Sequence, residues 1–252
     1  MSETTRPELR VATYNVHGCV GTDRRRSEKR IAQVIAELAV DLVGLQELDR
    51  RRMRSGEVDQ AGVIAAELGW HYHFQAAMQH PDGHYGHALL SRYPMCAQRS
   101  ACLPGVAPFF CRETRAAVHL EVATDVGLVQ VINTHLGLGR RERRLQAELL
   151  TSAEWLAAAA DGPLILLGDF NSLPGSRPHQ NLSRHLRDVR LLVRQAGALR
   201  TFPTRFPLFA VDHIFVNEAL EPRKVEVHRS PLARSASDHF PLLAELLVVA
   251  GA

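Results

Sequence analysis

The sequence predicts an α/β fold in which mixed β-sheets are layered against helices. Short runs rich in Val, Ile and Leu alternate with amphipathic helical stretches, as in α/β proteins. Several of these runs follow one another with no helix between them, which excludes a purely parallel sheet. No low-complexity linker and no repeat divides the chain. We therefore expect one domain over residues 9–250, preceded by a flexible tail over residues 1–8.

The first part of the chain predicts two strand–helix units followed by further strands. Ser27 can cap a helix that runs to about Ala39, because apolar residues recur on one face of this stretch. A second helix over residues 57–68 ends at Gly69, a residue typical of helix C-termini. The predicted strands here are residues 9–16, 41–46, 70–75 and 87–91.

The second part predicts one long helix among further strands. Residues 140–160 are rich in Ala, Leu, Glu and Arg, and Asp161, Gly162 and Pro163 end the helical pattern. Weaker helical signals continue through Leu192. The predicted strands are residues 114–122, 128–134, 163–168, 211–216, 224–228 and 242–248.

Composition excludes several classes of protein. The chain has 252 residues, 46% of them hydrophobic and 23% charged, which excludes a disordered, collagen-like or disulfide-scaffold protein. The polar N-terminus lacks a signal-peptide core, and no apolar run is long enough to span a membrane. The four cysteines form no CxxC pair, so we expect buried free thiols and a reducing, cytoplasmic location. The net charge of +3 permits an anionic partner without requiring one.

Polar residues that can bind metals or move protons lie at the ends of the predicted buried strands, where the catalytic groups of α/β folds gather. Carboxylate and amide oxygens suit a hard cation such as Mg²⁺ or Mn²⁺, and imidazoles near carboxylates supply acid–base groups. Together they predict metal-assisted hydrolysis of a phosphoester. The segments are Asn15, Gln46-Glu47, Asn133-Thr134-His135, Gly168-Asp169-Phe170-Asn171, Asp212-His213 and Ser237-Asp238-His239.

These segments, in this order over residues 9–248, resemble the endonuclease/exonuclease/phosphatase superfamily. Its members include DNase I-like nucleases, abasic-site endonucleases, sphingomyelinases and inositol polyphosphate 5-phosphatases. The Gly-Asp-Phe-Asn and Ser-Asp-His elements are the most specific part of the match. The resemblance implies an α/β fold of the α+β type: a four-layer αββα sandwich of two mixed β-sheets flanked by helices, with the active site at one rim.

The resemblance also implies a metal site for Mg²⁺ or Mn²⁺. Glu47 would be the main ligand, helped by Asn15 and Asp238.

The remaining roles that the resemblance implies are catalytic. His239, held by Asp212, would polarise the water or the scissile phosphate, and Asp169 would orient or deprotonate the attacking water. Asn171 would bind a phosphate oxygen. His135 would either stabilise the charge that develops on phosphorus or protonate the leaving oxygen.

Several residues near these motifs can be interpreted in two ways. Glu113 is a candidate partner for His135, with Arg115 beside it as a candidate phosphate contact, or the two form a solvated pair at a strand edge. His17 stands where abasic-site endonucleases carry Asp, so we assign no abasic-site specificity; it is a rim histidine or a substrate contact. His213 should point away from the site by strand alternation and is expected to be structural.

Three arginine runs follow strand ends that carry site residues, and they would form a positive collar around the rim or a solvated surface. Codon composition also explains the arginine excess, because only Lys29 and Lys224 are lysines. Aromatic and histidine side chains would line the mouth of the site or pack in the core. The runs are residues 24–26, 50–54 and 140–144, and the aromatic and histidine candidates are His84, Tyr85, His87, Phe109, Phe110, Phe202 and Phe206.

The favoured function is a Mg²⁺- or Mn²⁺-dependent phosphodiesterase or nuclease acting on DNA or RNA. The same chemistry on a phospholipid headgroup or a small phosphorylated metabolite is the alternative, and a non-catalytic binding module is less favoured because the whole residue set is intact. A two-metal calcineurin-like enzyme is disfavoured because the chain lacks a Gly-Asn-His motif.

Overall fold

In the computed structural model, which describes residues 8–106, 111, 113–156, 162–193 and 199–249, twelve strands form two six-stranded sheets. The strands are β1 Glu8–Asn15, β2 Leu42–Arg50, β3 His71–His80, β4 Gly83–Ser91, β5 Met95–Cys102, β6 Ala116–Thr124, β7 Gly127–His135, β8 Leu164–Asp169, β9 Arg187–Asp188, β10 Asp212–Val216, β11 Leu220–Val227 and β12 Leu242–Val248. The helices are α1 Glu28–Leu38, α2 Gln60–Leu68, α3 Arg140–Leu150, α4 Ala153–Leu156, α5 Arg177–Leu182, α6 Val189–Leu192 and α7 Pro231–Ala236.

The two sheets have matching topologies. The first has the order β11-β12-β1-β2-β4-β3 and the second the order β5-β6-β7-β8-β10-β9. Each contains one parallel pair, β1 with β2 and β7 with β8, and its other pairs are antiparallel. The prediction of an α/β sandwich with two mixed sheets is therefore confirmed.

Apolar side chains from both sheets fill the space between them, and further apolar layers lie under the helices. Gly44 marks a close approach, because a Cβ there would lie 2.1 Å from Leu167 Cδ1 of the facing sheet. A buried hydrogen bond from Gln46 Nε2 to Asn133 Oδ1, 2.9 Å long, also joins the sheets. The shared interior is the reason we propose one domain over residues 9–250; it includes Val11, Leu42, Leu89, Val131, Ile165, Ile214 and Leu246.

Helix ends follow their local sequence closely. Ser27 caps α1 as predicted, its Oγ accepting a hydrogen bond from the Arg30 amide at 3.1 Å. Gly69 ends α2 with a left-handed conformation at φ 68°. The predicted helix over residues 140–160 is interrupted at Thr151 and Ser152, which separate α3 from α4. Its last residues, 157–160, lie outside the described part of the chain.

Three elements were not predicted: β5, the two-residue strand β9, and α7. β5 lies at a sheet edge and is largely exposed, so its side chains lack the apolar alternation that marks a half-buried strand. α7 is a single short segment with Ser230 as its cap and Pro231 in its first turn. Residues 1–7 of the predicted tail, together with Phe109 and Phe110, lie outside the described residues. Within the described ranges, no helix is long and apolar enough to cross a bilayer.

Candidate active site

Asp169, at the end of β8, lies at the centre of the residues that the sequence singled out. Its Oδ2 accepts a 3.0 Å hydrogen bond from Asn15 Nδ2. The same oxygen lies 3.6 Å from His135 Nε2 and 3.8 Å from His239 Nε2. Its Oδ1 accepts a hydrogen bond from the Asn171 amide at 2.9 Å. The structure thus brings residues from three distant parts of the chain, Asn15, His135 and His239, to one buried carboxylate.

The environment of Asp169 favours the protonated form of its carboxyl group. Burial, followed by the charge of the nearby Asp212 carboxylate, raises the pKa of Asp169 to about 7. A carboxyl group with a pKa near neutral can take up a proton during a reaction and release it afterwards. This property fits the predicted role of Asp169 toward water.

Glu47 leaves the regular ladder of β2 at a β-bulge. The register between β2 and β4 shifts between Gln46 and Leu48, and Glu47 has a left-handed φ of 63°. Such a conformation is strained for a residue with a side chain and persists only where its surroundings hold it. Here Asn15 Nδ2 donates to Glu47 Oε1 at 2.9 Å, whereas Oε2 has no hydrogen bond within the described residues. The bulge turns one free carboxylate oxygen toward the rim.

Asn15 holds the Glu47 and Asp169 carboxylates together. Its Nδ2 donates to both, and its Oδ1 accepts a 3.1 Å hydrogen bond from the His17 amide. For Asn15 to bind a metal through Oδ1, the amide would have to rotate. Its role as a ligand therefore stays a prediction, and its contacts show a positioning role.

Asp238 lies beside the end of β1. The preceding Ser237 donates through Oγ to the main-chain oxygen of Asn15 at 2.8 Å. The half-buried Asp238 carboxylate lies 3.4 Å from Ser237 Oγ and forms no hydrogen bond with Asn15 within the described residues. Its predicted role as a ligand likewise stays a prediction.

His239 and Asp212 form the predicted pair. His239 Nδ1 donates to Asp212 Oδ2 at 2.9 Å, and the ring of Phe202 packs against His239 with centroids 4.6 Å apart. The buried Arg190 guanidinium donates to the Asp212 main-chain oxygen. Burial lowers the pKa of His239, but the carboxylates of Asp212 and then Asp169 outweigh it and raise the pKa to about 10. Near neutral pH the ring is an imidazolium whose Nε2–H faces Asp169.

His135 has the opposite protonation state. Its Nδ1 lies 3.2 Å from Arg115 Nη1 and its Nε2 lies 3.1 Å from Asn171 Nδ2, so each ring nitrogen faces a group that can only donate. Burial and then the Arg115 charge hold the pKa of His135 well below its usual range. The ring is therefore neutral. Of the two roles left open for His135, this state favours stabilising charge by hydrogen-bond donation over protonating the leaving oxygen.

Arg115 is enclosed rather than solvated, with 4% of its surface exposed. Besides His135 it pairs with the exposed Glu113, whose Oε2 lies 3.0 Å from Arg115 Nη2. Arg115, and not Glu113, is thus the direct partner of His135. Its predicted contact with phosphate stays a prediction.

Asn171 follows Asp169 in a tight turn with a left-handed φ of 47°. Its Nδ2 donates to the Leu136 main-chain oxygen at 2.9 Å and lies 3.1 Å from His135 Nε2. The side chain is therefore within reach of any group that His135 contacts.

A cavity of about 330 Å³ opens beside the Glu47 carboxylate. Its lining includes His17 and Tyr85, as expected for residues at the mouth. His87, in contrast, is buried, and burial lowers its pKa to about 3, so it is neutral and not at the mouth. Other lining residues are Arg26, Glu47, Arg54 and Glu113.

The arginine runs differ in how far their charge is neutralised. The second run is paired with carboxylates: Arg50 with Asp59 at 2.9 Å, Arg52 with Asp82 at 2.9 Å and Arg54 with Asp49 at 2.7 Å. Three of the four arginines in this run are therefore neutralised by carboxylates. The third run lines a separate cavity.

A buried His–Asp–His network supports the Asn171 turn, and the sequence did not reveal it. Asp188 Oδ2 accepts hydrogen bonds from His179 Nε2 and His213 Nδ1, both at 2.8 Å. His213 Nε2 donates to the main-chain oxygen of Ser172 at 2.8 Å. A ring that donates from both nitrogens is an imidazolium, so a buried ion pair anchors the turn. The three residues also lie close enough together to hold a metal, as do Asp169, Asp212 and His239.

We expect Asp188→Asn to lower the free energy of unfolding by about 3 kcal/mol, because it breaks a buried ion pair. Burial raises the pKa of Asp188, but hydrogen bonds from His179 and His213 outweigh it and hold the pKa below its usual range. A depressed pKa stabilises the fold above the unfolded-state value of about 4 and loses this effect as pH falls below it. Urea denaturation from pH 7 to pH 3 should show the difference between variant and wild type shrinking at the acidic end.

The matched control is Asp125→Asn, whose carboxylate is exposed and, within the described part of the chain, accepts a hydrogen bond only from Tyr93 Oη. It should change the free energy of unfolding by less than about 1 kcal/mol. Equal urea midpoints for the Asp188 and Asp125 variants at pH 7 would contradict the assignment.

Two mixed sheets whose strand ends gather a His–Asp pair, a second histidine and a carboxylate cluster define a class of proteins that generally hydrolyse phosphoesters. The chain belongs to the endonuclease/exonuclease/phosphatase family, whose model matches residues 12–239. Members of this family typically use a divalent metal, and the described carboxylate and histidine clusters could bind one.

Relatives extend over nearly the whole chain. The uncharacterized protein YbhP of Escherichia coli is 30% identical over 97% of this chain and 98% of its own. An endonuclease/exonuclease/phosphatase family protein from Bacteroides thetaiotaomicron superposes with a TM-score of 0.77 at 21% identity, covering 98% of both chains. A mannosyl-6-phosphatase from the same organism has a TM-score of 0.75 at 22% identity, covering 95% of this chain and 99% of its own. At these identities the two structures establish the fold alone.

Proposed function

We propose that the protein is a Mg²⁺- or Mn²⁺-dependent phosphodiesterase that cleaves nucleic-acid backbones. The observation that carries the proposal is the convergence of a neutral His135, a cationic His239 and the Asp169 carboxyl on one point, next to the free oxygen of Glu47. We place the protein in the cytoplasm as part of this proposal, because its four cysteines are free. The expectation that they are buried is confirmed for Cys19 and wrong for Cys96 and Cys102, which are exposed on the edge strand β5.

The residues present fit a hard divalent cation. Among the described residues, one Glu47 carboxylate oxygen and the buried Asp212 Oδ1 have no hydrogen-bond partner. Burial and then the nearby Asp212 carboxylate raise the pKa of Asp169, so negative charge is concentrated at this point. We propose that Glu47, with Asn15 and Asp238, would hold the ion. When bound, it would neutralise negative charge on the phosphoryl oxygens.

The protein side chains supply the remaining chemistry. Asp169 would orient the attacking water and accept its proton. His239, as an imidazolium held by Asp212, would donate through Nε2 to a phosphate oxygen. His135 would donate its Nε2–H to a second phosphate oxygen as negative charge develops there, while Asn171 contacts the same group.

The surroundings of the site support a large substrate. Arg26 contributes positive charge to the cavity at Glu47. On the His239 side, the segment that follows Phe202 presents an apolar surface, with Phe206 75% exposed. An exposed phenyl ring can stack on a nucleobase, or it can contact an acyl chain. The latter keeps a phospholipid headgroup as the second candidate substrate.

A substrate panel with Mn²⁺ tests the proposal. Plasmid DNA, single-stranded DNA, RNA, phospholipids and inositol phosphates are compared at equal phosphate concentration. We expect nucleic acid to be cleaved fastest, EDTA to abolish hydrolysis and added Mg²⁺ or Mn²⁺ to restore it. The His239→Ala variant, purified in parallel, controls for contaminating nucleases. A lipid preference of about tenfold or more would overturn the nucleic-acid assignment, and activity that persists in EDTA would overturn the metal dependence.

A further inference from the structure

A second cavity, of about 450 Å³, lies beside the active site and is strongly basic. Within the described residues, no acidic side chain lines it. The lining residues that matter are Arg140, Arg141, Arg143, Arg144, Ser176 and Arg177.

The two walls of this arginine cavity are formed at the starts of α3 and α5, which follow strands that carry proposed catalytic residues. α3 begins at Arg140, five residues after His135, and α5 begins at Arg177, six residues after Asn171. A fully extended chain of five or six residues spans at most about 20 Å, which is the length of about six nucleotides at 3.4 Å each. Burial lowers the pKa of Arg143, and Asp169 is among the charges that act on it. The two sites are therefore neighbours.

Most of the arginines that line the cavity are not neutralised by carboxylates of the described part of the chain. Arg140 and Arg141 stand in the first turn of α3, where the helix dipole disfavours cations. Within the described residues, the guanidinium groups of Arg140, Arg141 and Arg177 make no ion pair or hydrogen bond, and Arg144 pairs only with Glu148 at 3.5 Å. This contrasts with the run over residues 50–54, in which three of the four arginines are paired with carboxylates.

Polar atoms in the wall also lack partners. Arg143 Nη1 donates to the main-chain oxygens of Gly137 and Leu138, at 3.3 and 2.6 Å, but its buried Nε has no partner. The buried Ser176 Oγ is likewise without one. Buried donors of this kind are stabilised when an acceptor arrives. A phosphate offers several strong acceptor oxygens and pairs with guanidinium groups through two hydrogen bonds at once.

We propose that the arginine cavity binds a second phosphate group of the substrate, one that is not cleaved. The enzyme would then prefer substrates with at least two phosphates over those with one. This inference rests on the proposed phosphodiesterase function and specifies its substrate class. The second phosphate comes from a nucleic-acid backbone or from a small polyphosphorylated molecule, and the experiment separates these sources.

The test compares Arg140→Gln/Arg141→Gln and Arg177→Gln with a control, Arg223→Gln/Lys224→Gln, which removes two positive charges from β11. The measured quantity is the kcat/KM for an oligonucleotide divided by that for bis(p-nitrophenyl) phosphate, which carries one phosphate. We expect this ratio to fall about tenfold in the cavity variants, as for the loss of a charge-assisted contact. The dependence of log kcat/KM on log salt should become shallower by about 0.7 for each lost contact to a single strand.

Equal ratios and salt slopes in cavity and control variants would overturn the inference. A second ratio identifies the source of the phosphate: kcat/KM for an inositol phosphate with several phosphates divided by kcat/KM for one with a single phosphate. If the cavity variants lower this ratio but not the oligonucleotide ratio, the substrate is a small polyphosphorylated molecule. If the protein hydrolyses bis(p-nitrophenyl) phosphate but does not cleave nucleic acid, the proposed substrate is refuted. The comparison of inositol phosphates still tests the arginine cavity in that case.

A binding measurement covers the case in which no substrate is hydrolysed. Inorganic pyrophosphate is titrated in EDTA against wild type, cavity variants and control, with isothermal calorimetry as the readout. We expect binding to wild type and control and at least about tenfold weaker binding to the cavity variants. Identical binding by all four proteins overturns the inference independently of activity.

Discussion

Asp169→Asn is expected to lower kcat for bis(p-nitrophenyl) phosphate by about 10³-fold at saturating Mn²⁺. An amide has the same shape as the carboxyl group but cannot accept a proton from water. In the wild-type protein, nitrogen atoms of Asn15, His135 and His239 all face one oxygen of Asp169. The variant puts an NH₂ group or an amide carbonyl at that position. Because the effect is on the chemical step, KM should change much less than kcat.

Asp125→Asn is the matched control, since it makes the same chemical change at the opposite end of the β6–β7 hairpin. β7 has nine residues and separates it from His135 by roughly 27 Å. Circular dichroism and thermal unfolding of both variants should match wild type. A folded Asp169→Asn protein with more than about a tenth of the wild-type kcat would exclude Asp169 from the central role.

The second large effect is expected for His239→Ala, which should reduce kcat by about 10² to 10⁴-fold. The variant removes the one imidazolium at the reacting centre and leaves the buried Asp212 carboxylate without its partner. Asp212→Asn should produce a smaller loss of kcat, because it removes the carboxylate that raises the pKa of His239 but leaves the imidazole ring in place. The two losses should not add in the double variant, since both act through the same ring.

His185→Ala serves as control, because His185 is exposed and makes no side-chain contact within the described residues. If His239→Ala and His185→Ala hydrolysed the diester at equal rates, the assignment of the catalytic pair would be wrong. Full additivity of the His239 and Asp212 losses would instead show that the two residues act separately.

Local sequence determined much of this protein. The alternation of apolar runs and amphipathic stretches predicted the α/β class and most strands, because burial imposes these periods directly on the chain. Ser27 and Gly69 marked helix ends by chemistry that depends only on neighbouring residues. The order of the motifs identified the family. Glu47, His135 and Asp169 were singled out because each follows a buried strand.

Tertiary structure alone decided how these groups act. The Asn15 amide contacts a carboxylate 154 residues away, and its orientation depends on how the two sheets face each other. Whether an arginine run is neutralised depends on carboxylates brought from other loops, as Asp82 is brought to Arg52. The neutral state of His135 follows from its burial and then from the charge of Arg115, which directly precedes the neighbouring strand.

The physical reason is the range of each interaction. Helix caps, turns and apolar periods involve residues a few positions apart, so the sequence displays them. Hydrogen-bond partners, burial and pKa shifts arise between segments that only strand register and sheet packing bring together. The sequence therefore named the residues of the site, and the folded chain decided their orientation, their charge and the arginines that stand unpaired beside them.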